Sequence, residues 1–118
     1  DQAIFVADQR PGNSLVVGFA VLSRPGFVVV HANREGEPGI ILGNSRVLQT
    51  GESRLVPVNL TRPVSDGEAL LAVLYEDSGD NTFSPSIDVP VKDDSGSIIF
   101  MRFIINRNDD KIEDTRVQ

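Results

Sequence analysis

The chain has 118 residues, with 17 acidic and 11 basic side chains and a formal net charge of −6. That length fits one domain, and an acidic surface without a Lys/Arg cluster excludes nucleic acid as an expected partner, because phosphate backbones are repelled. There is no cysteine, which excludes disulfides, thiolate zinc sites, iron–sulfur clusters and a cysteine nucleophile.

In chain order, residues 3–8 read as a short first strand and residues 9–14 (QRPGNS) as a turn around Pro11-Gly12. Residues 15–22 follow as a strand apolar on both faces, then a turn (SRPG) and a third strand over residues 27–31. Residues 32–39 read as a polar loop and residues 40–42 as a brief strand, with Gly43-Asn44 a turn signal after it. Residues 46–49 are expected to pair briefly. Residues 54–60 alternate: Val56, Val58 and Leu60 on one face, Leu55, Pro57 and Asn59 on the other. Pro57 donates no ladder bond, so this strand lies at an edge or carries a bulge. Residues 69–76 predict a central strand, residues 76–88 a long polar loop, residues 89–91 a short strand and residues 97–106 the last strand.

Strands of this length, buried on alternating or both faces and fenced by Gly, Pro, Asn or Asp about every ten residues, leave no room for a helix of useful length. They predict an all-β fold: an immunoglobulin-like antiparallel Greek-key β-sandwich of seven to nine strands over residues 1–106, with residues 107–118 a polar tail or linker. Phe19, Val29, Val56, Val58, Val73 and Phe103 are the predicted core. No apolar run approaches the ~20 residues that span a bilayer. The chain opens on Asp1 and not Met, as expected of a processed or excised product.

The loop Glu76-Asp77-Ser78-Gly79-Asp80-Asn81-Thr82-Phe83 is the best candidate site. Calcium needs several hard oxygen ligands gathered by a short loop, and Asp77, Asp80, Asn81 and Asp88 are the expected ligands. With Asp77 as the first position of a calcium loop, Asn81 falls fifth, the Phe83 carbonyl seventh and Asp88 twelfth. Gly79 stands third and Thr82 sixth, against the usual pattern, and flanking helices are absent. The competing reading is a solvated loop whose Asp, Asn and Gly residues make turns.

His31 is the only histidine and Met101 the only methionine, so no copper or zinc ligand set is present. His31 reads as a strand-end histidine bonded to a nearby carbonyl or facing water. No G-x-S-x-G occurs, and Asp93-Asp94 and Asp109-Asp110 are sequence neighbours whose side chains point apart in extended chain. Asn59-Leu60-Thr61 is an N-x-T sequon on the polar face of its strand. In the last strand Ile99, Met101, Phe103 and Ile105 form a core face. Ile98, Phe100, Arg102 and Ile104 form a second face too apolar to meet water unaided. The expected cover is the tail, with Asp109, Asp110, Glu113 and Asp114 facing Arg102, or a second molecule, which would make Ile98 to Ile105 a homo-oligomer surface.

The order of several segments carries a resemblance: Gly26-Phe27-Val28-Val29-Val30-His31, then Gly39-Ile40-Ile41-Leu42-Gly43-Asn44-Ser45, then Leu48-x-x-Gly51-Glu52, then Ala69-Leu70-Leu71-Ala72-Val73-Leu74-Tyr75 and the acidic loop ending at Phe83. Over residues 9–105 the chain resembles an uncharacterised family of secreted or surface-attached domains, common in haloarchaeal surface proteins and also found in bacteria. The resemblance implies an immunoglobulin-like sandwich outside the cell beside other domains, with no known catalysis and no known ligand. The expected function is a non-catalytic extracellular or cell-surface structural or binding module, partnered by neighbouring domains or another protein. Two alternatives stay open: a calcium-stabilised adhesion module, and a small hydrolase or lyase using the loop acids with His31. Apart from the candidate calcium, no cofactor is expected.

Overall fold

Short β-branched and aromatic runs bury themselves only by pairing with distant segments, and the computed structural model, which describes residues 2–107, shows how they pair. Its strands are β1 (Ala3–Phe5), β2 (Gly12–Leu22), β3 (Gly26–Arg34), β4 (Glu37–Asn44), β5 (Gly51–Val64), β6 (Ala69–Glu76), β7 (Val89–Pro90) and β8 (Phe100–Ile104). One sheet has the order β1-β2-β5. The other runs β4-β3-β6, with β7 and β8 both pairing along the far edge of β6. All these ladders are antiparallel. The chain changes sheet between β2 and β3, β4 and β5, and β5 and β6, so the sandwich is an immunoglobulin-like Greek key. The N-terminal segment serves both sheets: β1 pairs with β2, and Gln9 forms a parallel bridge to Ile105.

Between the sheets lie Leu15, Val17, Ala20 and Leu22 of β2 and Val56, Val58 and Val64 of β5. Across from them lie Val28, Val30, Leu42, Leu70, Ala72, Leu74, Phe103 and Ile105. The other face of β3 and β6 carries a second buried cluster: Phe27, Val29, Leu71, Val73 and Tyr75. Ile41, Val47, Phe83 and Ile98 pack over it. This is why residues 26–31 and 70–75 are apolar without alternation: the strands are covered on both sides, once by a sheet and once by connecting chain. Each such side chain contributes roughly 1.5–3 kcal/mol of burial.

Several expectations are corrected. Residues 32–39 are not a loop: β3 and β4 run on to a two-residue turn at Glu35-Gly36, both left-handed (φ 55° and 86°) as a type I′ hairpin requires. The Gly43-Asn44 turn signal falls inside β4. Phe19 is not in the core. Leu15 and Val17 point inward, but so do Ala20 and Leu22, because β2 and β5 shift phase together where Gly18 faces Leu55, which has φ 50°. Phe19 therefore turns outward and stacks on Phe5, with ring centroids 5.8 Å apart. Gly18 permits this, since a Cβ there would stand 2.9 Å from the Phe5 ring. In consequence β2 is covered on one face only, and Val16 is 45% exposed.

Pro57 does lie on an edge strand, β5, whose one ladder partner is β2. In β8, Phe103 points into the core, while Phe100 and Arg102 face outward and are exposed. The acids expected to meet Arg102 (Asp109, Asp110, Glu113 and Asp114) lie outside the described residues.

Val73 tests the second cluster. Val73→Ala should lower unfolding free energy in urea by ~1–3 kcal/mol through lost methyl groups and the cavity they leave. A change indistinguishable from zero would mean that this face of β6 is open to water.

Candidate functional site

The long connection from β6 to β7 crosses the outer face of the second sheet, and one aromatic fixes it there. Phe83 sits edge-on to both Phe27 (centroids 5.5 Å apart, 66°) and Tyr75 (5.3 Å, 89°), the arrangement that ring quadrupoles favour. Tyr75 in turn stacks on His31 at 5.8 Å. His31 is buried: Nδ1 lies 2.8 Å from the Gly39 carbonyl and Nε2 3.0 Å from the Tyr75 hydroxyl. A carbonyl oxygen only accepts, so Nδ1 carries the proton, and Nε2 accepts from the tyrosine O–H. Both ring nitrogens are occupied. The polar concavity of about 200 Å³ bounded by Gln2, Lys92, Asp93, Asp94 and Ile99 does not include His31.

Anchored this way, the loop folds its acids inward. The Asp88 carboxylate is buried and accepts two backbone bonds, from Ser78 N–H (2.9 Å) and Ser84 N–H (2.7 Å). Asp77 Oδ2 accepts from Asn81 N–H at 3.1 Å, and Asp80 Oδ1 from Thr82 N–H at 3.1 Å. Asp77 N–H donates to the Pro25 carbonyl at 3.0 Å, tying the loop to the β2–β3 turn. Much of the acidity is thus turn chemistry of the kind Asp and Asn supply.

One atom falls outside that account. Asp77 Oδ1 is sealed from solvent and has no hydrogen-bond donor. Asp77, Asp80 and Asp88 each bring an oxygen to within 4.8 Å of the other two. Calcium–oxygen distances are about 2.3–2.6 Å, so ligands on opposite sides of one ion stand about that far apart. Three of the four expected ligands therefore converge. Asn81 is exposed with a left-handed backbone (φ 61°), and its N–H is committed to Asp77. The helical calcium-loop spacing does not describe this arrangement, since Asp80, fourth in that count, joins the first and twelfth positions. The sequence reading missed Phe83 as the anchor. The signal was present: it is the one aromatic in an otherwise polar stretch, downstream of Tyr75.

Two outcomes test the anchor. Phe83→Ala should cost about 2 kcal/mol, less than the roughly 3–5 kcal/mol of a fully enclosed phenylalanine. Burial pushes the Tyr75 phenol above its ordinary value of 10.0. Above pH 10 the unfolded chain then gives up this proton more readily than the folded one, so stability holds up to that pH and falls beyond it. Tyr75→Phe should flatten the alkaline fall while lowering stability at neutral pH, because Nε2 of His31 loses its donor. An alkaline limb unchanged by Tyr75→Phe would refute this assignment.

Comparison with known proteins gives a family and two relatives. A family model described as "Domain of unknown function (DUF7282)" matches residues 2–103. Cell surface glycoprotein 1 of Haloarcula hispanica is 31% identical over 86 residues, 73% of this chain and 9% of that protein. Cell surface glycoprotein 2 of the same organism is 29% identical over 79 residues, 66% of this chain and 8% of that protein. The chain spans less than a tenth of the length of these curated relatives. No solved structure matches it. The family match runs from the N-terminal segment ahead of β1 to Phe103 in β8, and the chain belongs to the DUF7282 family.

Proposed function

We propose that this chain is a non-catalytic structural module of the cell exterior, one β-sandwich unit of a longer surface protein, whose acidic loop is closed by a calcium ion. The exterior placement is supported by the two relatives, both cell surface glycoproteins many times longer than the matched segment. The non-catalytic role is supported by His31, whose two ring nitrogens are held by Gly39 and Tyr75. No helix among the described residues is long and apolar enough to cross a membrane. A neighbouring domain or second copy would find its apolar contact on the outer face of β8, where Phe100 is 45% exposed beside Val73 and Arg102 stands beside Leu71.

The observation that carries the calcium reading is the sealed, donorless Asp77 Oδ1 within a three-carboxylate cluster. Such a cluster repels itself unless a cation offsets it. Calcium bound only to the folded form stabilises by mass action, ~2.7 kcal/mol at a hundredfold excess over Kd. Chelator-treated protein should therefore gain roughly 10–20 °C in Tm when calcium is raised to that hundredfold excess, at ~4–8 °C per kcal/mol for a domain of about 100 residues. Asp77→Ala should abolish the gain. Melting curves that ignore calcium would leave the loop a set of Asx turns and remove the cation from this reading.

A further inference from the structure

The chain contains seven asparagines, and one of them, Asn59, opens an N-x-S/T sequence, Asn59-Leu60-Thr61. Asn59 and Thr61 stand two apart in β5, so their side chains lie on the same face of the sheet. Both residues are exposed, while Leu60 between them packs toward the core. Other asparagine side chains are committed: Asn33 accepts from Gly36 N–H, and Asn44 donates to the Ser45 carbonyl. The Asn59 amide makes no hydrogen bond among the described residues. Its ladder neighbour is Ser14, small and exposed, and β5 is an edge strand. The Asn59 carbonyl, by contrast, abuts Gly43 of β4 so closely that a Cβ there would clash. The side chain alone is left open to solvent.

We propose that Asn59 is an asparagine-linked glycosylation site, taking an oligosaccharide from a lipid-phosphate-linked donor. In that transfer the Asn59 Nδ2–H bond breaks and a bond forms from Nδ2 to the anomeric carbon of the sugar. The bond from that carbon to the phosphate oxygen breaks, the lipid phosphate leaves with the electron pair, and the amide proton passes to a base of the transferase. The Thr61 hydroxyl is the second recognition element of the sequon. The glycan then projects from the outer face of β5, where Pro57 is exposed and its ladder partner Val16 is 45% exposed, and its hydrated bulk occludes that apolar strip. The site rests on the exterior placement proposed above, because the transferase acts on chains that leave the cytosol.

The test is intact-mass and peptide mass spectrometry of the full protein purified from its own cells, with the cell-surface and cytosolic fractions collected separately. A glycan mass on the peptide that begins at Leu55, localised to Asn59 by fragmentation, is the expected result. Asn59→Gln and Thr61→Val should each lose it completely, and Thr61→Ser should keep it. Because Thr61→Val leaves the asparagine in place, a folding defect in one variant does not decide the outcome. Surface-located protein whose Asn59 is unmodified, or a mass that survives Asn59→Gln, would overturn the site alone. Recovery of the protein only from the cytosol would overturn the exterior reading with it.

Discussion

The pairing of β3 with β6 is the constraint on which the rest depends. Seven residue pairs run from Gly26–Glu76 to Ala32–Leu70, and most of the side chains they carry are buried to within a few per cent on both sides. A pair this apolar is unstable in water unless covered twice. The first cover is the β1-β2-β5 sheet. The second is assembled from Ile41 of β4 and from connecting chain: Val47 between β4 and β5, Phe83 in the acidic loop and Ile98 ahead of β8. Residues that look like linkers in composition are therefore structural. The position of the acidic loop follows from the same need, since Phe83 must reach the gap between Phe27 and Tyr75.

That placement joins two opposed tendencies in one short segment. The loop is drawn onto an apolar face by one ring and loaded with carboxylates that prefer water. It reconciles them by turning the carboxylates toward its own backbone: Asp88 receives two N–H groups, and Asp77 and Asp80 receive one each. That accommodation is incomplete at one atom: the sealed oxygen of Asp77 receives no donor, although two other carboxylates stand close by.

What the sequence disclosed depended on whether the deciding information was local. β6 was legible to the residue, because Gly67-Glu68 and Asp77 fence an uninterrupted apolar run. The hairpin at Glu35-Gly36 was not, because residues 32–37 are almost wholly polar there and the two strands project past the buried face. Phe19 was misplaced because strand alternation predicts phase only while a strand stays regular, and the paired shift at Gly18 and Leu55 arises between two segments 37 apart in sequence. The acidic loop was visible as a loop with ligands, but the union of Asp77, Asp80 and Asp88 depends on the anchoring of Phe83, which spacing does not encode.

The N-terminal segment that serves both sheets has a mechanical meaning. Gln9 and Ile105 run parallel, and the clasp is closed by Gln9 N–H to the Ile104 carbonyl, Asn106 N–H to the Gln9 carbonyl and Ile104 N–H to Asp8. Tension applied between the chain's two directions, backward from Gln9 and forward from Ile105, slides these strands past each other along their axes. The clasp bonds then share the load and must break together, whereas an antiparallel hairpin pulled at its open end gives way one bond at a time. A pull along these two directions is thus met in shear, by the Gln9–Ile105 clasp as a unit.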